Sequence, residues 1–245
     1  MKDMRQFIKT TIREFLNEVK NPYSVDWVEP DENYFIQELG ELLGNEMRFS
    51  KQEFFHPKNY DKLYNILPFT FKTIAEHSKG SSVNNSKEIK NILLNKEISE
   101  LMEDWGEFRH VLMKNNKCRQ EALNLFKKGS MVEWDEEKIN DTFYMGSFNK
   151  LFPGMFKNTT SSGLIKQMKN DKNETEPHFK GYEKNIKDFR SERKRTLPPP
   201  FVMLLPTGGR DGNKYNLIGG HKRSTIAKQL NISPIYVWFI NLQNN

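Results

Sequence analysis

Cysteine is nearly absent: Cys118 is the only one in 245 residues. One thiol cannot close an internal disulfide, furnish a cysteine-rich zinc site or make a CxxC redox pair within one chain. Long apolar runs are missing too. Nothing approaches the roughly 20 apolar residues that cross a bilayer, and the N-terminus has no short apolar core of a secretion signal, so an intracellular, cytoplasmic protein without a membrane partner is expected. Histidine is scarce. His56, His77, His110 and His178 stand alone, without HxxxH or HExxH spacing or a carboxylate at ligand spacing, and no metal centre built from protein ligands is expected.

Polarity and aromatic side chains are what the chain has in plenty. Its mean hydropathy is −0.78 and 29% of its residues are charged, yet 12% are aromatic and 18 are Phe. Disordered chains are seldom so aromatic, so this composition describes a folded protein with a very polar surface, long enough for one large domain or two small ones. The net charge of +6 is unevenly spread. Residues 1–140 carry 21 Lys+Arg against 24 Asp+Glu, a net of −3, whereas 141–245 carry 17 against 8, a net of +9. A basic half favours a polyanionic partner, a nucleotide or a nucleic acid, because clustered cations lower the energy of approaching phosphates; a solvated lysine-rich surface is the plainer alternative.

Apolar residues recur at helical spacing through the N-terminal part. Asp3 can cap a helix carrying Ile8, Ile12, Phe15, Leu16 and Val19, ended by Asn21-Pro22. Further helices are expected at 31–44, stopped by Gly44, around 60–77, at 87–104 and at 106–128, with a loop at Lys79 to Ser86 (KGSSVNNS). Trp105 and Trp134 read as half-buried anchors, and Met131 to Glu137 (MVEWDEE) as a turn or acidic edge that could contact the basic part of the molecule. The spacing of Gly146, Pro153, Gly154 and Gly163, with the polar run Lys169 to Glu176, makes 146–178 irregular. Three parts follow: a helical region 1–140, a connector or lid 141–178, and a small α/β domain 179–245, together an α+β fold with the helices packed on the C-terminal domain.

That last part changes texture. Phe179 to Thr196 can form a helix with Tyr182, Ile186 and Phe189 on one side and cations on the other, and Leu197 followed by Pro198, Pro199 and Pro200 forces an extended entry. A strand at Phe201 to Leu205, a turn at Thr207 to Gly212, a return strand at Lys214 to Ile218, a helix from His221 to Leu230 and a strand at Ile235 to Ile240 follow. Between the second strand and the helix lies Gly219-Gly220-His221-Lys222-Arg223-Ser224. The first-turn N–H groups of a helix carry positive partial charge, and glycines ahead of them let a phosphate approach the backbone. His221, Lys222 and Arg223 add cationic donors, and Ser224 and Thr225 can bond phosphate or cap the helix. The pattern is neither a Walker loop nor a dinucleotide fingerprint. It is equally compatible with a glycine turn before an exposed basic helix end.

Residues 197–240, with Gly220, His221, Arg223 and Ala227 in the turn and helix, Pro199-Pro200 upstream and Ile235-Tyr236-Val237 closing, resemble the core of the ParB/sulfiredoxin superfamily; with the preceding helix the match spans about 179–240. The resemblance implies a nucleotide-phosphate site at the turn, holding a nucleoside triphosphate such as ATP or CTP, with Mg2+, through Gly219, Gly220, His221, Lys222, Arg223, Ser224 and Lys184. It implies kinase-like phosphotransfer or nucleotide hydrolysis, with His221 and Arg223 stabilising charge. Lys184 and Lys187 could reach a triphosphate, with a solvated helix face as the plainer alternative. A base is needed to accept the acceptor's proton. Glu183, Asp188, Glu192 and Asp211 are the carboxylates near the motif, and Glu183, set among Lys180, Lys184 and Lys187, is the first choice. Sulfiredoxin chemistry is not expected, because the turn has no cysteine. Nor is a partition-type DNA clamp, whose turn reads Gly-Glu-Arg-Arg. A DNA-binding accessory or nuclease-like protein remains the alternative.

Overall fold

The computed structural model describes residues 23–49, 56–94, 106–143, 191–209 and 212–243. In chain order the elements are β1 (Ser24–Trp27), α1 (Glu32–Phe49), α2 (Pro57–Ile66), α3 (Pro68–Lys79), α4 (Ser86–Leu94), α5 (Gly106–Lys114), α6 (Asn116–Phe126), β2 (Ser130–Glu133), α7 (Glu136–Asn140), β3 (Thr142–Phe143), β4 (Lys194–Leu197), β5 (Phe201–Leu204), β6 (Tyr215–Gly219), α8 (His221–Gln229) and β7 (Tyr236–Asn241). The fold is α+β. Two compact units share it: a larger one of Glu29–Ser147, Pro198–His221 and Tyr236–Asn245, and a smaller one of Met1–Val28, Phe148–Leu197 and Lys222–Ile235.

In the larger unit the helices form as their apolar spacing requires, but chain breaks subdivide them. On α1, Phe35, Ile36, Leu39 and Leu43 are fully buried. The helix runs through Gly44, where a stop was expected, to Phe49; one interior glycine costs about 1 kcal/mol, which does not end a long helix. The single helix expected around 60–77 is two, α2 and α3, because Pro68 opens α3 and the residue before a proline avoids helical backbone; Leu67 sits at φ −124°, ψ 44°. The helix expected at 106–128 likewise divides at Asn115, whose carboxamide oxygen accepts from the N–H groups of Lys117 and Cys118 at 3.0 and 3.2 Å. Gly80, left-handed at φ 66°, ends α3 and begins the expected loop.

Leu67 offers α3 no side-chain cap. A residue from α6 does so instead. The buried Glu121 carboxylate accepts from the N–H of Phe69 (2.7 Å), the N–H of Thr70 (2.9 Å) and the hydroxyl of Thr70 (2.8 Å). A helix start needs acceptors for its first N–H groups and favours negative charge, and Glu121 satisfies both needs across the core.

The five-stranded sheet runs β2-β7-β5-β6-β3. Central β5 lies parallel to β7 and antiparallel to β6, and every one of its residues is buried. Alternation sends Phe201, Met203, Ile218, Trp238 and Ile240 to the face covered by helices, where they join the helical apolar residues in one core. Phe35 meets Phe201 edge-on at 5.2 Å between ring centres, and Phe126 stacks on Trp238 at 4.8 Å. A side chain on Gly129 would overlap the Trp238 indole. The N-terminal helices and the C-terminal strands are therefore halves of a common core.

One strand comes from a stretch read as a turn or acidic edge. Residues 130–133 form β2, an edge strand antiparallel to β7 with Val132 opposite Val237, so the acidic segment meets the C-terminal part through backbone pairing. Asp135 then caps α7. Trp134 is a core residue rather than a half-buried anchor: at 3% exposure it packs against Tyr215 and Phe239 on the sheet's other face and donates its indole N–H to Thr142 Oγ1 at 3.0 Å.

In the smaller unit β1 pairs in parallel with β4, Ser24 opposite Lys194 through Trp27 opposite Leu197. The helix expected over 179–196 has therefore given way to a strand by Lys194, consistent with extended backbone leading into Pro198; 179–190 lie outside the described residues. Trp27 donates its indole N–H to the Pro234 carbonyl at 2.9 Å. Among the described residues no helix is long and apolar enough to cross a membrane.

Candidate phosphate-binding turn

β6 ends at Gly219, Gly220 takes φ 83°, and α8 starts at His221. Gly220 is where the strand turns into the helix. That left-handed conformation strains any residue with a Cβ, so the second glycine of the motif has a backbone reason to be there. His221 and Lys222 occupy the first two helical positions, followed by Arg223, half-buried, and Ser224, 4% exposed. The cap position belongs to Gly220 rather than to Ser224, which falls in the fourth helical position. Both glycines are buried. The division between the two units falls inside the motif, after His221.

In the smaller unit the rest of α8 buries Ile226 and Ala227, and its end is closed by Leu230 N–H to the Ile226 carbonyl (2.9 Å) and Ile232 N–H to the Ala227 carbonyl (2.8 Å). Of the carboxylates and cations considered near the motif, Glu183, Lys184, Lys187, Asp188 and Asp211 lie outside the described residues. Glu192 is exposed.

The larger unit supplies a carboxylate that sequence reasoning missed. Glu38, on α1, lies on Gly219: a Cβ built there would stand 2.6 Å from Glu38 Oε2, 2.9 Å from its Cδ and 2.8 Å from its Cβ. No side chain at position 219 fits beside it unless Glu38 moves. The missing side chain of Gly219 therefore makes room for a carboxylate. A sequence signal was present, since Glu38 falls three residues after Phe35, on the flank of the apolar stripe where helical spacing favours a hydrophobe.

Other conspicuous residues serve the fold. His56 precedes α2 and its Nδ1 accepts from Lys58 N–H at 3.4 Å; His77 is in the last turn of α3, and His110 is exposed on α5. Burial pushes the Cys118 thiol above its ordinary range, with its sulfur 3.6 Å from Thr73 Oγ1, and burial likewise raises the Tyr60 hydroxyl. Asn59, 1% exposed, holds the β5–β6 connection: it donates to Thr207 Oγ1 at 2.5 Å and accepts from Thr207 N–H at 3.1 Å.

Among the described residues no three His, Cys, Asp or Glu side chains group as a metal cage. Mg2+ on a nucleotide does not require one, because it keeps waters and phosphate oxygens and takes one or two carboxylates from the protein. Glu38, beside Gly219, is of the residue type that mode uses. In comparisons with protein-family models, curated proteins and solved structures, nothing matches the chain.

Proposed function

We propose that this protein binds the phosphates of a nucleoside triphosphate, ATP or CTP with Mg2+, at the turn from Gly219 to Ser224, and transfers or hydrolyses the terminal phosphate in the cytoplasm. The observation that carries the reading is the junction itself: a strand ends, a left-handed Gly220 turns the chain, and a nine-residue helix opens with His-Lys-Arg. A helix start turns its first N–H groups and a positive field toward an anion, and His221, Lys222 and Arg223 would supply charge for its oxygens. The resemblance of residues 179–240 to the ParB/sulfiredoxin superfamily supports the same ligand class. Glu183 and Lys184 keep their proposed roles as carboxylate and phosphate-directed cation. Calorimetric titration of the full chain with ATP, CTP, GTP and ADP in Mg2+ tests the proposal: one of them binds in the micromolar range, and absence of heat with all four removes it.

The uneven charge, net +9 over 141–245, favours one other reading, a protein that holds a DNA backbone without using nucleotide. Its signature is affinity for duplex DNA that falls steeply with salt and ignores added nucleotide. Binding measured at two salt concentrations, with and without ATP, separates the readings.

A further inference from the structure

We infer that strand β2, at the edge of the five-stranded sheet, pairs with β2 of a second copy of this chain, so that two sheets join across a two-fold axis. β2 is the outer strand beside β7, and its Ser130, Met131 and Glu133 are exposed, Met131 at 43%. The direction of its backbone groups follows from β7. Trp238 donates its N–H toward β5, to the Pro200 carbonyl at 2.8 Å, so its neighbours Val237 and Phe239 turn theirs toward Val132 and Ser130. By the same alternation Met131 and Glu133 turn their N–H and C=O groups to the open edge. β2 contains no proline and no lysine, and it pairs with β7 without a bulge, so nothing of that kind discourages a further strand.

Charge selects the occupant. Lys127 and Lys128 precede β2, and Glu136 and Glu137 follow it at the start of α7; all are exposed, and among the described residues none of them forms a salt bridge. Asp135 is held by Lys138, which also lies near Glu137. A strand with a basic approach and an acidic exit is complementary to its own reversed copy. With the two Val132 residues opposite each other, Met131 of each copy faces Glu133 of the other and exchanges N–H and C=O groups with it. The same register lays Lys127 and Lys128 of each copy beside Glu136 and Glu137 of the other, whereas a parallel pairing would set lysines on lysines. The strand is short, so the dimer is a weak one.

Sedimentation velocity of the full chain, from micromolar to millimolar concentration, should show a monomer–dimer equilibrium that moves toward monomer as salt rises. Met131→Pro removes an N–H that the monomer leaves at the open edge, where proline is tolerated, and should abolish the dimer while the protein stays folded. The paired changes Glu136→Lys and Glu137→Lys should weaken the dimer by about tenfold or more. Adding Lys127→Glu and Lys128→Glu to that variant should restore it. A wild type that is monomeric throughout overturns the proposal and leaves the edge to a strand of another protein. A dimer that survives both Met131→Pro and the charge reversal overturns it too, because another face then joins the copies, and so does loss by charge reversal without rescue in a folded fourfold variant. Should Met131→Pro fail to fold, loss and rescue through the charge changes decide alone.

Discussion

Two regions of the larger unit each bring a glutamate from one helix to a point where another stretch of backbone turns, and they use it differently. At the start of α3, Glu121 accepts three hydrogen bonds in the core, two from backbone N–H groups and one from Thr70. At the end of β6, Glu38 lies against the Cα of Gly219, and the neighbouring Gly220 holds a left-handed φ of 83°. The first region has its anion built in, and a ligand would have to break three bonds to replace it. The second is shaped by glycine, because a side chain on Gly219 would overlap the carboxylate. A glutamate brought to a turning stretch of backbone thus caps where it meets N–H groups, and demands a glycine where it meets the end of a strand.

Breaking the first region should have the largest effect. Glu121→Ala leaves two N–H groups and the Thr70 hydroxyl without their acceptor, and should cost about 4 kcal/mol in urea unfolding, with Glu121→Gln costing less because one carbonyl oxygen remains. In the second region, Arg223→Ala should weaken nucleotide binding by about 1.5 to 3 kcal/mol, the scale of a charge-assisted hydrogen bond. Calorimetry reads that loss. Gly219→Ala should cost about 2 kcal/mol of stability by overpacking against Glu38. In a Glu38→Ala background the same change should cost only about 0.5 kcal/mol, and a double-mutant cycle by urea unfolding reports that coupling. The smallest change is expected at Cys118. Because burial raises its thiol, iodoacetamide at pH 8 should leave the native protein unmodified over hours and label it promptly in denaturant, as mass spectrometry would show.

The segment 198–240 was legible because its signals are local. Prolines, a glycine-rich turn and alternating apolar residues mark β5 and β6, two adjacent glycines mark the entry to α8, and each acts within a few residues of itself. The helix breaks at Leu67 and Asn115 were also local, but the continuous apolar spacing over 60–77 and 106–128 concealed them: periodicity reports which residues face the core and is blind to a one-residue interruption between two helices that keep nearly the same phase. Strand β2 was hidden for another reason. Residues 130–133 have burial pattern exposed, exposed, half-buried, exposed, and an edge strand held by backbone bonds to β7 needs little apolar character of its own.

The sequence by itself determined the α+β class, the glycine turn before a basic helix and the uneven charge, because composition, backbone conformational preference and charge are properties of residues and their immediate neighbours. Only the tertiary structure decided that the helices of the N-terminal part and the strands of the C-terminal part complete a common core, that Glu121 caps a helix 51 residues away from it, and that Glu38 lies against Gly219. Those pairings join residues far apart in the chain, and they exist only once burial of the apolar faces has set the helices against the sheet.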